Sequence, residues 1–242
     1  MKLRIVGCSP AWPNPGGAHS GYLVEGPGRL LLDCGPGVLA RLRDGAGPWP
    51  RVDAVLVSHW HLDHWGDLVP WAWGAMVGPG RRAEHRPELW LPAGGTEVLA
   101  RFGSQLGTET MFSETFRLRE YREDEPFEAA GFSVLALRVP HYGLETYGFR
   151  VSDGVRSLAY SADSAPSDRL VELARGADLF LCEATLERAE LEGEPRGHLT
   201  PDEAVAAFTA AGARRLLLTH RPVELGLDSG LERAYDGFEL EL

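Results

Sequence analysis

The chain has 242 residues, the length of one large domain or two small ones, since a domain averages about 150 residues. Hydrophobic residues make up 44% and charged residues 24%, a globular composition that excludes the disordered and fibrous classes. The formal net charge of −11 argues against extended nucleic acid as a partner, because a phosphate backbone requires a surplus of cations on the contact face. We therefore expect one compact domain over residues 1–242.

The sequence indicates neither a membrane partner nor a disulfide framework. No apolar run approaches the ~18 residues of a membrane span, and no hydrophobic segment precedes the first Gly and Pro of the N-terminus. We expect a cytoplasmic protein. Cys8, Cys34 and Cys182 are far apart and form no CxxC pair, so all three are expected to be small buried hydrophobic residues.

Short apolar runs bounded by Gly and Pro predict that the chain opens as a β-meander, with strands at 2–7, 21–25 and 29–34. A helical turn is expected at 37–43, and the continuous apolar run at 53–58 is typical of a buried strand. The basic run RRAEHR at 81–86 is expected to be a solvated loop.

The rest of the chain alternates between predicted strands and helices. Strands are predicted at 88–91, 132–139, 145–152, 156–161, 178–182 and 214–219. Helices are predicted near 64–77, 95–106, 167–175 and 200–212, the last beginning with a capping box at Thr200-Pro201-Asp202-Glu203. Together these elements predict an α/β fold in which two packed sheets carry helices on their outer faces, a four-layer sandwich.

A cluster of ligand-type side chains follows the predicted strand at 53–58. Within HWHLDH, four potential ligands stand in six residues: His59, His61, Asp63 and His64. This density suits two adjacent metals better than one. The chain contains only 8 His, so three of them falling within six positions is improbable by chance. The sequence therefore predicts a metal site at the end of this strand.

Three isolated residues extend this prediction. His141, Asp163 and His220 each follow an apolar run, at the C-terminal tip of a predicted strand. A lone His at such a tip is more often structural or simply exposed. Three such tips in a chain that also carries the HWHLDH cluster favour a functional role.

The order of these residues resembles the metallo-β-lactamase superfamily across essentially the whole chain. Asp33 in LLLDCGPG stands where that family has an Asp that supports the metal loop. The resemblance implies an αββα sandwich with two divalent metal ions, usually zinc, in the cleft between its sheets, although the same ligand types accept manganese and iron. It also implies the ligands, namely His59, His61 and His141 for one metal, Asp63, His64 and His220 for the other, and Asp163 as the bridge.

Two further residues resemble the ribonuclease Z-like phosphodiesterases. In that branch a Glu-supported His beside the metals contacts the phosphate and can protonate the leaving oxygen, and Glu183 in LFLCEAT and His198 in GHLTPDEA match this pair. The likeness implies that Asp63 and Asp163 orient a hydroxide shared by the two metals. Only 21 residues separate His141 from Asp163, which leaves no room for the long arm with which bacterial members grip tRNA. A small or unidentified phosphodiester is therefore the expected substrate.

Two other functions remain open. A carboxyl ester, thioester or lactone hydrolase could use the same hydroxide on a carbonyl, and glyoxalase II shares the HxHxDH cluster, but Glu183 and His198 argue against this class. A non-catalytic metal-binding protein is the second alternative, disfavoured because the ligand set is complete.

Tryptophan is concentrated directly after the first ligand. Trp60, Trp65, Trp71 and Trp73, four of the seven tryptophans, lie within fourteen residues. Helical spacing of Trp65 and Trp71 suits a core, but four rings are hard to bury in one stripe. Ribonuclease Z-like relatives commonly dimerise through the helices after this motif, so we expect a homodimer that uses this segment.

Overall fold

The computed structural model describes residues 1–44, 49–82 and 85–242, and its strands form two sheets. The strands of the first sheet are β1 (Lys2–Gly7), β2 (Gly21–Glu25), β3 (Arg29–Leu32), β4 (Ala54–Leu56), β5 (Glu88–Leu91), β6 (Arg117–Glu120) and β13 (Glu239–Glu241). Their order across the sheet is β13-β1-β2-β3-β4-β5-β6. From β13 to β3 the pairing is antiparallel, and from β3 to β6 it is parallel.

The second sheet is built from the later part of the chain. Its strands are β7 (Phe127–Ala129), β8 (Phe132–Val139), β9 (Thr146–Ser152), β10 (Ser157–Tyr160), β11 (Leu179–Glu183) and β12 (Leu216–Thr219). They lie in the order β12-β11-β10-β9-β8-β7, with parallel pairing from β10 to β12 and antiparallel pairing elsewhere. The parallel strands therefore point their C-terminal ends the same way, which is where the predicted ligands follow.

Helices cover the outer faces of both sheets. They are α1 (Val38–Leu42), α2 (Leu62–Trp65), α3 (Leu68–Val77), α4 (Gly95–Gln105), α5 (Met111–Thr115), α6 (Asp168–Ala174) and α7 (Pro201–Ala211), with 3₁₀ turns at Pro79–Arg82 and Ala189–Leu191. The capping box predicted for α7 is present: Thr200 and Glu203 each satisfy the other's backbone N–H. Within the described ranges, none of the helices combines the length and apolar character that crossing a membrane requires.

Alternation along the strands assigns apolar side chains to separate cores. In β2, Tyr22 and Val24 face the core between the sheets, whereas Leu23 between them faces the helices outside the first sheet. Phe149 and Val151 of β9 meet the first sheet from the other side. Burying one such side chain fully contributes about 1.5–3 kcal/mol, so a strand that is apolar on both faces is strongly held in the middle of the sandwich. The predicted four-layer α/β arrangement is confirmed.

The predicted helix at 64–77 is wrong as a single element. It is interrupted between α2 and α3, because the N–H of Asp67 donates to the carbonyl oxygen of Cys34 at 3.0 Å instead of to the preceding helical turn. The carboxylate of Asp67 in turn accepts from the N–H of Leu39 at 2.7 Å. These contacts tie the break to the loop after β3 and leave α2 as a separate turn that carries Asp63 and His64.

Other differences concern short polar elements. The sequence does not predict the strands β6, β7 and β13 or the helix α5. The segments of β6 and β13, RLRE and ELE, lack the apolar run that identifies a buried strand. Of the basic run at 81–86, residues 83 and 84 lie outside the described ranges. The three cysteines are free and buried, as predicted.

The tryptophan segment divides between core and surface. Trp65 and Trp71 are buried together with Leu68 in the core outside the first sheet, so their helical spacing reports ordinary packing. Trp60 is half-buried against Trp65, and Trp73 is the most exposed of the four at 37%. A charge at Trp71 would therefore test core stability, and only Trp73 can test an interface.

Candidate metal centre

The HWHLDH cluster occupies the turn that leaves the end of β4. His59 follows β4 after Val57 and Ser58 and is fully buried. His61 precedes the first turn of α2, and Asp63 and His64 lie within α2. The chain is extended up to His61 and then turns into α2. The side chains of the extended segment and those of the helix therefore face the same point. The remaining predicted ligands come from the second sheet, where His141 follows β8, Asp163 follows β10 and His220 follows β12.

The structure brings all seven predicted ligands together. They form two overlapping groups in which the ligand atoms lie within 4.8 Å of one another: His59, His61, His141 and Asp163 in the first, and Asp63, His64, Asp163 and His220 in the second. The closest approaches include 3.2 Å from Asp163 Oδ2 to His64 Nε2 and 3.2 Å from Asp63 Oδ2 to His220 Nε2. Asp163 is common to both groups, as expected of a bridging carboxylate.

The histidine rings are oriented by hydrogen bonds on the far side of the centre. His141 Nδ1–H donates to the carbonyl oxygen of Gly197 at 2.7 Å, and His64 Nδ1–H donates to Asp33 Oδ2 at 2.7 Å. His59 Nδ1–H donates to the Ser58 hydroxyl at 3.0 Å, because that hydroxyl itself donates to Asp33. Each contact leaves Nε2 facing inward as the lone-pair atom, which is the arrangement that metal-ligating histidines require.

Unpaired polar atoms at the centre fit a bound cation. Among the described residues, the buried atoms His59 Nε2, His64 Nε2 and Asp163 Oδ1 have no hydrogen-bond partner. Buried polar atoms are rarely left unpaired, and several that converge on one point indicate a ligand. Imidazole nitrogen and carboxylate oxygen are the donors that zinc binds in catalytic sites. The residues present therefore fit divalent metal ions.

The electrostatics of the centre agree with this fit. Burial lowers the pKa of His59, His61 and His141, so these rings are neutral, the form that binds metals. Burial alone would raise the pKa of Asp163, but His220 and His64 hold it well below the usual value. His64 is the exception, since three carboxylates overcome its burial and raise its pKa well above the usual value. A bound cation would replace that proton as the partner of the carboxylates.

Asp33 is the support predicted from the sequence. It is fully buried and accepts from the Ser58 N–H at 2.8 Å, the His64 ring at 2.7 Å and the Tyr160 hydroxyl at 2.7 Å. Its φ of 60° lies in the left-handed region, which Asp tolerates better than most residues. Tyr160 comes from the second sheet, so Asp33 ties the metal loop to both halves of the sandwich.

Glu183 and His198 form a second pair beside the ligands. His198 Nδ1–H donates to Glu183 Oε1 at 2.9 Å, and Glu183 is fully buried at the end of β11. Burial would lower the pKa of His198, but the Glu183 carboxylate raises it to about 9. The protonated ring stacks on His220 with centroids 5.7 Å apart. A cationic donor therefore stands next to the metal centre at neutral pH.

Three residues that hold this pair were missed in the sequence. Thr185 donates its hydroxyl to Glu183 and accepts from the His220 ring, each at 2.9 Å. The carboxylate of Glu192 accepts from the backbone N–H of Gly197 at 2.9 Å and of His198 at 3.1 Å, and also from the Tyr142 hydroxyl. These contacts join residues of separate loops that only the folded chain brings together. No local sequence pattern therefore predicts them.

Comparison with known proteins agrees with this geometry. The profile of the β-lactamase superfamily domain matches residues 28–221. The probable metallo-hydrolase YhfI of Bacillus subtilis is 32% identical over 227 residues, covering 92% of this chain and 87% of YhfI. The crystal structure of YhfI superposes with a TM-score of 0.83 at 29% identity, covering 99% of this chain and 98% of that one.

Two further proteins are similar to the chain over nearly their whole lengths. Ribonuclease Z of Archaeoglobus fulgidus is 23% identical over 294 residues, covering 99% of this chain and 94% of the relative. A diphosphatase from the PhnP family, 21% identical, shares the fold with a TM-score of 0.75 and covers 100% of this chain and 97% of that one. The family profile and the likeness to YhfI establish that the chain belongs to the metallo-β-lactamase superfamily.

Proposed function

We propose that this chain is a phosphodiesterase that binds two divalent metal ions, with zinc as the expected ion, and hydrolyses a small phosphodiester. The observation that carries the proposal is the position of His198, whose Nδ1–H donates to Glu183 and whose ring stacks beside the His220 ligand. A cationic donor at this place suits a reaction in which negative charge grows on phosphoryl and leaving oxygens. The likeness to ribonuclease Z and to the PhnP-family diphosphatase supports the same class of substrate.

We assign each metal to one of the two ligand groups. The first would be bound by His59, His61 and His141, the second by Asp63, His64 and His220, and Asp163 would bind both. When bound, the ions lower the pKa of water and neutralise charge on the phosphoryl oxygens. Imidazole and carboxylate ligands also accept manganese and iron, so metal supply decides among them.

The protein side chains orient the nucleophile and donate a proton to the leaving group. Asp63 and Asp163 orient the attacking hydroxide, whose proton has already gone to solvent, as the new bond to phosphorus forms. Because Glu183 holds Nδ1 of His198, the Nε2 proton is the one available to the substrate. His198 donates this proton to the leaving oxygen as its bond to phosphorus breaks, and Glu183 stabilises the ring in its cationic form. The products are an alcohol and a phosphomonoester.

An assay with matched substrates tests the proposal. The metal-loaded protein is expected to hydrolyse bis-p-nitrophenyl phosphate in preference to p-nitrophenyl carboxyl esters, a thioester and a lactone. His85 provides a control position, since it is exposed and lies outside the ligand groups, and His85→Ala should keep full activity. Faster turnover of the thioester or lactone would identify the carbonyl hydrolase instead, and no turnover of any substrate would favour a non-catalytic metal-binding protein.

The expected setting is a cytoplasmic one with a small-molecule substrate. The net charge of −11 argues against extended nucleic acid, and the three buried free cysteines suit a reducing compartment. We expect no membrane partner.

We also propose a homodimer that uses helix α3. Trp73 is 37% exposed and Val77 is 71% exposed on this helix, and apolar side chains of this size are enriched at interfaces. Light scattering at micromolar concentration is expected to give twice the chain mass of 26.5 kDa, and Trp73→Glu should shift the protein towards the monomer. A monomeric wild type would contradict the dimer, and a dimer that persists in Trp73→Glu would place the interface elsewhere.

A further inference from the structure

A cavity of about 610 Å³ opens from the metal centre and extends well beyond the metal-binding side chains. His61, Asp163 and His198 form its inner end. Farther out, Trp12 and Leu191 line its walls although they are 53% and 56% exposed to solvent. Large apolar side chains left open beside a reactive centre indicate contact with a ligand.

The aromatic walls of the cavity are held in place before any ligand binds. The loop that carries Trp12 is fixed where His19 Nδ1–H donates to the carbonyl oxygen of Pro10 at 2.8 Å. It is fixed again where the Asn14 side chain donates to the carbonyl oxygen of Arg221 at 3.2 Å. In the loop between β8 and β9, the Tyr142 hydroxyl donates to the carboxylate of Glu192. A preformed aromatic wall binds a flat group with little loss of conformational entropy.

Apart from His198 at the inner end, the charged side chains that line the cavity are carboxylates. Glu187, Glu192 and Glu224 line it, and no Lys or Arg does so among the described residues. Within the same residues, Glu187 and Glu224 are exposed and make no ion pair that would neutralise them. A second anionic group of a substrate would therefore lie beside carboxylates without a compensating cation, which is unfavourable.

The nearby arginines line a neighbouring cavity on the other side of the loop after β8 and do not line the cavity that opens from the metal centre. They are Arg138, Arg169 and Arg196. Arg169 pairs with Asp124 at 2.6 Å, and Arg196 pairs with Glu203 at 2.8 Å. An anionic arm that turned towards Arg169 or Arg196 would compete with these existing ion pairs.

We propose that the cavity receives one arm of the phosphodiester, and that this arm is an aryl or similarly flat apolar group without negative charge. The substrates are then diesters whose only anionic charge is on the reacting phosphate. This inference rests on the proposed function and narrows it, because diesters with a second phosphate or a carboxylate on that arm are excluded. Trp12 and Tyr142 are the residues that select the arm, and the carboxylates reject its anionic forms.

Binding of phosphinates, which have carbon–phosphorus bonds that hydrolysis does not cleave, tests the arm separately from turnover. Calorimetric titration of the metal-loaded protein would compare dimethylphosphinate, methyl(phenyl)phosphinate and methyl(4-carboxyphenyl)phosphinate. We expect the phenyl compound to bind about tenfold more tightly than the dimethyl compound, and the carboxyphenyl compound to lose that gain. Equal affinity of all three, or tighter binding of the carboxyphenyl compound, would overturn the inference.

Variants test whether Trp12 and the cavity carboxylates cause the preference for an uncharged aryl group. In Trp12→Ala the gain from the phenyl group should fall to about threefold or less, since the aromatic contact is removed. In the double variant Glu187→Gln, Glu224→Gln the carboxyphenyl compound should regain affinity. Tyr235→Ala is the matched control, because Tyr235 is 61% exposed and lies outside this cavity. An unchanged phenyl preference in Trp12→Ala with retained metal and fold would remove Trp12 from the site.

The two proposals can fail separately. If the protein hydrolyses bis-p-nitrophenyl phosphate but binds the phosphinates without aryl preference, it is a phosphodiesterase and the arm proposal is wrong. If no diester is hydrolysed and the aryl preference is still present, the cavity serves another substrate class and both the proposed function and the proposed substrate are wrong.

Discussion

Replacing Asp163 with Ala is expected to lower the metal content well below that of any other single ligand variant and to reduce diester hydrolysis on the order of 10³-fold or more. The reason is its position in both ligand groups. Its Oδ2 lies 3.2 Å from His64 Nε2 and 3.8 Å from His59 Nε2, and its Oδ1 lies 3.5 Å from His220 Nε2. Elemental analysis of the purified variant measures the loss directly.

Single-group ligands provide the comparison for this result. Of the two groups that share Asp163, the first contains His61 and the second contains His220, so His61→Ala and His220→Ala should each lower the metal content and keep the other group occupied. His220 also lies within ligand distance of Glu183 and His198. All three variants should stay folded by circular dichroism, because the cores between and outside the sheets contain none of these residues. Two full metal equivalents in Asp163→Ala would contradict its bridging role, and in either His variant they would contradict that ligand assignment.

Much of the centre could be predicted because its ligands stand at strand ends. Asp163 and His220 follow apolar runs that form neighbouring parts of one sheet, and the C-terminal ends of parallel strands meet at one edge. The HWHLDH segment is even more local, since one short turn and one helix position all four side chains. Short continuous apolar runs likewise predict the strands that are buried on both faces, such as β2.

The remainder depends on contacts between distant parts of the chain. The hydroxyl of Tyr160 reaches Asp33 across the sandwich, and that of Thr185 reaches the His220 ring, although neither residue belongs to a recognisable motif. The break before α3 follows from the hydrogen bond between Asp67 and Cys34. Helix propensity depends on neighbouring residues only and therefore cannot predict this contact. The helical spacing of Trp71 indicates a core residue, whereas the number of tryptophans around it indicates that some of them lie at the surface. Trp71 itself is buried in the core. Local pattern thus predicts ligands and strands, while supporting contacts require the fold.

Replacing His198 with Ala is expected to leave both metals bound while slowing hydrolysis, because the ring binds Glu183 and belongs to neither ligand group that holds Asp163. General acid catalysis contributes about 10²–10⁴-fold, so a diester with an alkyl leaving group should lose activity in that range. A p-nitrophenyl leaving group departs without a proton and should lose far less. The measurement is the ratio of kcat values for the two diesters in wild type and variant.

The charge of Glu183 gives this prediction a second, independent readout. The acid must be protonated, so activity falls as pH rises through the pKa of His198, which Glu183 raises. Glu183→Gln retains an oxygen that can accept from the ring but lacks the negative charge, and it should therefore shift the basic limb of the pH profile to lower pH. An equal relative loss for alkyl and p-nitrophenyl diesters in His198→Ala, together with an unmoved basic limb in Glu183→Gln, would show that the pair positions the phosphate without transferring a proton.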